Sequence, residues 1–186
     1  LILKGFLFHF IHIFLRGPLD ICPWNAYIYS MKNIFIFDLD GTVVDSDWRT
    51  PRKGNGSVDI SKWLDLATAD NIAKDGLLPL ARFMQKVIAE GDFVIVATAR
   101  IMTAADKQFL IDNGINPNII ISRSSNEMKK PDADLKWNKL NRLFNLKQFQ
   151  NKPKIMFDDN GSVLNRMREK GIVALNSVTI NRKLAA

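Results

Sequence analysis

Ile34-Phe35-Ile36-Phe37-Asp38-Leu39-Asp40-Gly41-Thr42 is the stretch whose reading decides the fold. Four apolar residues run without interruption into an Asp-x-Asp pair and then a Gly-Thr turn. An unbroken apolar run of this kind predicts a strand buried on both faces, as in a parallel sheet. The carboxylates stand where that strand should end. In open α/β sheets ligands bind at the carboxyl ends of the strands. Side chains two apart share one side of an extended chain, so Asp38 and Asp40 are expected to point the same way if the strand continues through them.

Working outward, three more apolar runs end in polar residues. Phe93–Ala97 leads into Thr98-Ala99-Arg100, Asn118–Ile121 into Ser122-Arg123, and Lys154–Phe157 into Asp158-Asp159. Ile172–Leu175 is predicted as a fifth strand. Between the strands, helices are predicted over Ile60–Ala69, Leu77–Ala89, Thr103–Asn113, Ala133–Phe144 and Gly161–Lys170, with Gly91, Gly114 and Gly171 as stop signals. Trp137, Leu140 and Phe144 are expected to share one helix face. The polar stretch Ser46–Ser57 reads as a loop. Strands alternating with helices predict a parallel sheet covered on both faces, joined by right-handed crossovers.

Residues 1–30 differ from the rest. The run Phe6–Leu15 is mostly apolar but shorter than the about 20 residues a membrane span needs. No small-x-small cleavage site follows it. The expectation is an apolar leader or non-native upstream tail, with Met31 as the natural start and residues 31–186 as a single domain; a membrane anchor is the alternative. The only Cys (Cys22), both His and both Tyr lie in this segment. Residues 31–186 therefore offer no Cys nucleophile, no Ser-His-Asp triad and no His- or Cys-ligated zinc site. Acid–base chemistry falls to Asp, Glu or Lys, and a metal would be held by oxygen, which suits Mg²⁺. The lack of cysteine is consistent with a reducing, cytoplasmic setting. A formal charge of +7 favours an anionic partner, a nucleic acid or a nucleotide.

Asp38, Asp40, Asp158 and Asp159 are thus expected close together at one sheet edge. Their mutual repulsion would raise some of their pKa values unless a cation offset it. This ordered set resembles the haloacid dehalogenase superfamily. Asp38-Leu39-Asp40-Gly41-Thr42 is similar to its first motif, Thr98 to its second and Phe157-Asp158-Asp159 to its fourth. Lys136 fits the third, with Lys129 and Lys130 as competitors. The resemblance implies a Rossmann-like three-layer α/β sandwich with little or no cap domain. It implies Asp38 as nucleophile, forming an aspartyl-phosphate, and Asp40 as general acid and then base. Thr98 and Lys136 would hold the phosphoryl oxygens. Mg²⁺ would be held by Asp38, Asp158 and the backbone carbonyl of Asp40, with Asp159 in support. Dehalogenases of the superfamily generally lack the second carboxylate, so Asp40 points to phosphoryl transfer.

Finer features resemble the phosphatase half of polynucleotide kinase-phosphatases and related small phage hydrolases. They are Thr98-Ala99-Arg100, Asp132-Ala133-Asp134-Leu135-Lys136 and Asp158-Asp159-Asn160-Gly161. This resemblance implies phosphate binding by Arg100, a supporting role for Asp132, and a further arginine after the first motif, Arg49 or Arg52. The interval between Thr42 and Thr98 leaves room only for a small lid over about Asp45–Gly76. The expected function is a Mg²⁺-dependent phosphomonoesterase acting on nucleic-acid 3′-ends, a polynucleotide 3′-phosphatase. A 5′-nucleotidase acting on free nucleotides is the alternative, favoured if Arg49 to Trp63 form a tight pocket. A phospho-acceptor or binding module is the non-enzyme alternative. No stable membrane association is expected. Trp48, Trp63 and Trp137 are candidates to stack on bases, with core packing as the plainer expectation.

Overall fold

A computed structural model describes residues 33–186. The leader expected over residues 1–30 lies outside the described residues. The central sheet has strands β1 (Ile34–Phe37), β4 (Phe93–Ala97), β5 (Ile119–Ile121), β6 (Lys154–Asp158) and β7 (Val173–Asn176). All its pairings are parallel, in the order β5-β4-β1-β6-β7. The sheet is therefore the one the apolar runs predict. β1 lies at its centre, where the chain first builds outward through β4 and β5 and then returns to add β6 and β7. Ligands of open α/β sheets bind at such a switch point.

Burial of β1 on both faces explains its uninterrupted apolar run. Each of its four residues is at most 1% exposed. Ile34 and Ile36 face a cluster with Met156, Leu140, Val163 and Met167, supplied in part by helices α5 (Asp132–Phe144) and α6 (Gly161–Glu169). Phe35 and Phe37 face the other way. Phe37 stacks on Phe157 at 4.9 Å, and Phe83 of helix α3 (Leu80–Ala89) meets Phe35 edge-on at 5.6 Å. Such ring pairs add to the stabilisation that burial alone provides. Leu140 is buried, and Trp137 and Phe144 pack against the same cluster, the face their spacing predicts.

Helix α4 (Ala104–Asp112) has Thr103 as its N-cap, with a reciprocal capping box to Asp106. Three elements depart from the sequence-based expectation. The helix predicted over Ile60–Ala69 is two pieces, α1 (Ile60–Leu66) and α2 (Ala69–Ile72), because the Thr68 side chain accepts from the Asn71 amide and starts a new turn. The helix predicted from Leu77 begins at Leu80. Gly76–Leu77 form strand β3 instead, antiparallel to β2 (Val44–Asp45). Within the stretch read as a loop, Asp47–Arg49 form a 3-10 turn. Finally, β7 is followed by helix α7 (Ser177–Ala185), capped by Asn176. No helix among the described residues is long and apolar enough to cross a membrane.

Helix α7 reaches back to the start of the domain. The Thr42 hydroxyl donates to Ser177 Oγ at 2.9 Å, and Asn181 Nδ2 donates to the Thr42 carbonyl at 2.9 Å. Asn181 Oδ1 also accepts from the Leu80 amide at 2.8 Å. All three contacts are buried, where a satisfied hydrogen bond is strongly preferred to an orphaned group.

Candidate active site

The register of the sheet brings the strand ends level. Phe37 pairs with Val96 on one side and Phe157 on the other. The next residue, Asp38, donates its amide to the Phe157 carbonyl at 3.0 Å. Asp38, Thr98 and Asp158 are thereby delivered to one edge, all buried. Lys136, from the first turns of α5, is 2% exposed and its ammonium lies 2.8 Å from Asp38 Oδ1 and 2.8 Å from Asp158 Oδ2. Of the three lysines considered, Lys136 bridges these carboxylates. Lys129 is exposed, and Lys130 lies at the cleft wall, 3.9 Å from Glu127.

Asp38, Asp158 and Asp159 each offer a carboxylate oxygen, all within 4.8 Å of one another. Three clustered carboxylates with no nitrogen or sulfur donor suit a hard, oxygen-preferring divalent cation. Their electrostatics point the same way. Burial, reinforced by Asp158 and opposed by Lys136, pushes the Asp38 carboxyl up to about 7. Burial raises Asp158 as well, and burial together with Asp38 pushes Asp159 up to about 6. Burial costs Lys136 too, but the two carboxylates outweigh it and hold the ammonium charged. One lysine does not neutralise three acids, and a cation would complete the balance.

Gly41 closes the turn after Asp40 with φ 68°, and a Cβ there would meet Asp159 Oδ2 at 2.8 Å. Gly41→Ala combines a left-handed backbone cost of about 1–2 kcal/mol with displacement of Asp159. The variant is expected to unfold at lower temperature and to lose activity, measured by thermal melts and phosphate release.

Asp40 faces a different set of partners. Arg100 grips it with Nε on Oδ2 at 3.0 Å and Nη2 on Oδ1, while the Ser46 hydroxyl donates to Oδ1 at 2.5 Å. Burial works against its charge, but Arg100, Ser46 and the nearby Arg49 prevail and hold the carboxyl below its ordinary range. Arg100 also donates to Asp106 Oδ1 at 2.6 Å and has its amide on Thr98 Oγ1 at 3.0 Å. Arg49 is buried, its Nε and Nη2 held by Asp75 at 2.7 and 2.5 Å, and its Nη1 has no hydrogen-bond partner. The two arginines lie 5.8 and 5.7 Å from the centre of the Trp63 ring.

Arg52 is exposed at the rim of the cleft, which it helps to line, and donates to Asp47 at 2.8 Å. Asp132, half-buried at the start of α5, accepts from Arg123 at 2.6 Å and from Asn160 at 3.5 Å. It braces the loop before α5 rather than touching Asp38. Trp63 is 8% exposed and covered by the two guanidiniums, Trp48 is exposed and donates to Asp75, and Trp137 packs in the core with Lys170 over its ring.

Ser46, Asp75 and Asp106 escaped sequence reasoning, and Arg123 was read as a strand-end residue with no role assigned to it. The Thr103-x-x-Asp106 spacing announces a capping box, which would have placed Asp106 near the site. Arg123 follows a predicted strand end, and its guanidinium binds the Ala99 and Lys130 carbonyls as well as Asp132. Asp75 carries no local signal.

Ser46, Arg123, Asp132 and Asp159 line a cleft of about 820 Å³. Asp38, Asp40, Thr98, Arg100 and Lys136 form its charged floor. Val58, Ile60, Trp63 and Leu64 of the small lid form one wall, with Ile101 and Met128 among the other lining residues.

A five-stranded parallel α/β sheet carrying this site defines a haloacid dehalogenase-type phosphohydrolase. The chain belongs to the family described as bacteriophage T5 5′-deoxynucleotidase, whose model matches residues 25–186. Solved structures share the fold. A haloacid dehalogenase-like hydrolase from Streptococcus pneumoniae aligns with TM-score 0.58 at 15% identity, over 82% of this chain and 91% of the other. A phosphatase from Clostridium difficile aligns with TM-score 0.56 at 14% identity, over 77% and 84%. A chain of the Pnkp1/Rnl/Hen1 complex aligns with TM-score 0.54 at 22% identity, over 80% of this chain and 46% of the other. No curated protein sequence matches the chain.

Proposed function

We propose that this protein is a Mg²⁺-dependent 5′-nucleotidase acting on free deoxynucleoside monophosphates. The observation that carries the reading is the lid. Ile60 and Leu64, four apart on α1, are 45% and 42% exposed and both line the cleft above the acids. An apolar wall beside a charged floor fits a small nucleoside attached to a phosphate, with the phosphate below. Membership in the deoxynucleotidase family supports the same substrate class. Support therefore shifts from the polynucleotide 3′-end, the first expectation from sequence, to the free nucleotide.

In this reading Asp38 attacks phosphorus, the bond from phosphorus to the ester oxygen breaks, and Asp40 gives its proton to that oxygen. Water then attacks the aspartyl-phosphate and surrenders a proton to Asp40, releasing inorganic phosphate and restoring Asp38. Thr98, Lys136 and Arg100, which line the cleft, hold the phosphoryl oxygens, and Arg49, bound to Asp75, adds positive charge close to Asp40. A phosphate dianion would compete with Asp40 for Arg100 and so favour a proton on Asp40. Mg²⁺ would be held by Asp38, Asp158, Asp159 and the Asp40 carbonyl, and would supply positive charge against the oxygens of the transferring group.

The test is phosphate release from deoxynucleoside 5′-monophosphates, ribonucleotides, a 3′-phosphorylated oligonucleotide and a sugar phosphate. The highest kcat/KM is expected on the deoxynucleotides. Preference for the oligonucleotide would return the reading to a 3′-phosphatase, and long-lived phosphorylation of Asp38 without turnover would support the phospho-acceptor alternative.

A further inference from the structure

We propose that Asp106 is a positioning residue that holds Arg100 by its Nη1 end and keeps the guanidinium at the cleft floor when a phosphate draws it from Asp40, a role that rests on the phosphate-binding reading of Arg100 above.

Arg100 is 4% exposed, and its guanidinium is shared between two carboxylates. Asp40 accepts from Nε at 3.0 Å and from Nη2, and Asp106 accepts from Nη1 at 2.6 Å. Asp75 is a third acid nearby, 3.7 Å from Nη2, too far for a hydrogen bond, and both its oxygens are taken by Arg49. The two bonded acids stand in different places. The Asp40 side chain is 36% exposed and lines the cleft, so it shares its arginine with whatever anion enters. The Asp106 side chain is 2% exposed and lies outside the cleft lining. An entering phosphate therefore competes with Asp40 for Arg100 and leaves the bond to Asp106 in place.

Asp106 can anchor the arginine because its other oxygen is committed. Oδ2 accepts from the Thr103 amide at 2.7 Å and the Thr103 hydroxyl at 2.8 Å, which ties the carboxylate to the start of α4. Arg100 is pinned at its backbone as well. Its amide donates to Thr98 Oγ1 at 3.0 Å, and its carbonyl accepts from the Arg123 amide at 3.1 Å. Held at both ends, the long side chain is ordered before phosphate arrives. Without the grip on Nη1 it would lose rotamer freedom on binding, and affinity would fall accordingly. The charge of Asp106 acts in the other direction, since a carboxylate beside the guanidinium weakens its pull on an anion. Order outweighs charge here, so neutralising Asp106 weakens phosphate binding rather than tightening it.

The test is a double-mutant cycle of Asp106→Asn and Arg100→Ala, read as the Kd of inorganic phosphate by titration calorimetry of the whole protein in Mg²⁺, which needs no turnover. Asp106→Asn is expected to weaken phosphate by about ten-fold in the parent, but by no more than about two-fold in the Arg100→Ala background. A merely structural defect would weaken both backgrounds alike. Asp106→Ser, which also removes the carboxylate but keeps a hydroxyl for the start of α4, runs the same cycle where Asp106→Asn does not fold. kcat/KM on deoxythymidine monophosphate and on p-nitrophenyl phosphate should fall along with phosphate affinity. Equal losses in both backgrounds, tighter phosphate in Asp106→Asn, or no change would overturn the role of Asp106. An Arg100→Ala protein that binds phosphate as well as the parent, or a parent that binds none, would overturn the phosphate-binding reading of Arg100 and the role of Asp106 with it. A parent that cleaves p-nitrophenyl phosphate but not the nucleotide, with the cycle coupled as expected, would support Asp106 and count against the nucleotide reading alone.

Discussion

Asp38→Asn is expected to abolish turnover, by about 10⁴-fold or more, and at the same time to stabilise the metal-free protein at neutral and alkaline pH. The first effect follows because an amide is a poor nucleophile for phosphorus and residues 31–186 contain no Cys or His to replace it. The second follows from burial. The Asp38 carboxyl has an ordinary value of 3.8 and is pushed up to about 7 in the folded protein. Between those values the folded state holds a proton that the unfolded state has lost, so stability falls as pH rises across the window. Asp159, pushed up to about 6, adds in the same direction. Asp40, held below its ordinary range, loses its contribution only at more acid pH and does not offset this trend. Without metal, the parent should therefore melt at lower temperature at about pH 8 than at about pH 5.5, and Asp38→Asn should narrow the gap. Thermal unfolding in chelator at the two pH values checks both signs. A parent that is more stable at the higher pH would contradict the assignment.

Lys136→Ala should be the most destabilising single change at the site. The ammonium is the direct partner of two buried carboxylates, at 2.8 Å each. Removing one member of a buried ionic set leaves the others uncompensated, and typical losses are about 3–5 kcal/mol. The loss should be largest above about pH 7, where Asp38 would ionise, and smaller at acid pH, where the carboxyls can take protons instead. Activity should fall by at least about 10²–10³-fold, since a positioned charge near the transferring group is lost. Lys136→Met separates the two contributions. It fills most of the volume but supplies no charge, so it should share the activity loss and the pH trend while recovering some packing. Denaturant melts at two pH values, with and without Mg²⁺, measure this; added Mg²⁺ should recover part of the stability in both variants.

The parallel sheet was legible in the sequence because its strands are buried on both faces. Ile34–Phe37 and Phe93–Ala97 therefore spell themselves as apolar runs, and their ends place Asp38, Thr98 and Asp158 together. Lys136 was legible only through the family resemblance, which asks for a lysine between Thr98 and Asp158; its place at a helix start set it ahead of Lys129 and Lys130. The lid was less so. The β2–β3 ladder is two residues long, too short for periodicity to register, and the break between α1 and α2 depends on one threonine hydroxyl. Asp75 could not be read at all. It earns its place through a contact with Arg49, 26 residues earlier, and a charge recognised by its partner leaves no pattern of its own.

The hold of α7 on Thr42 sets an order of events during synthesis. The bonded pair Thr42 and Ser177 are 135 positions apart, and Asn181 is 139 positions from Thr42. A ribosome-bound chain can display every strand of the sheet before either contact exists. The turn that follows Asp40 closes early on its own backbone bonds, but its bracing by α7 can form only once Ser177 and Asn181 have emerged.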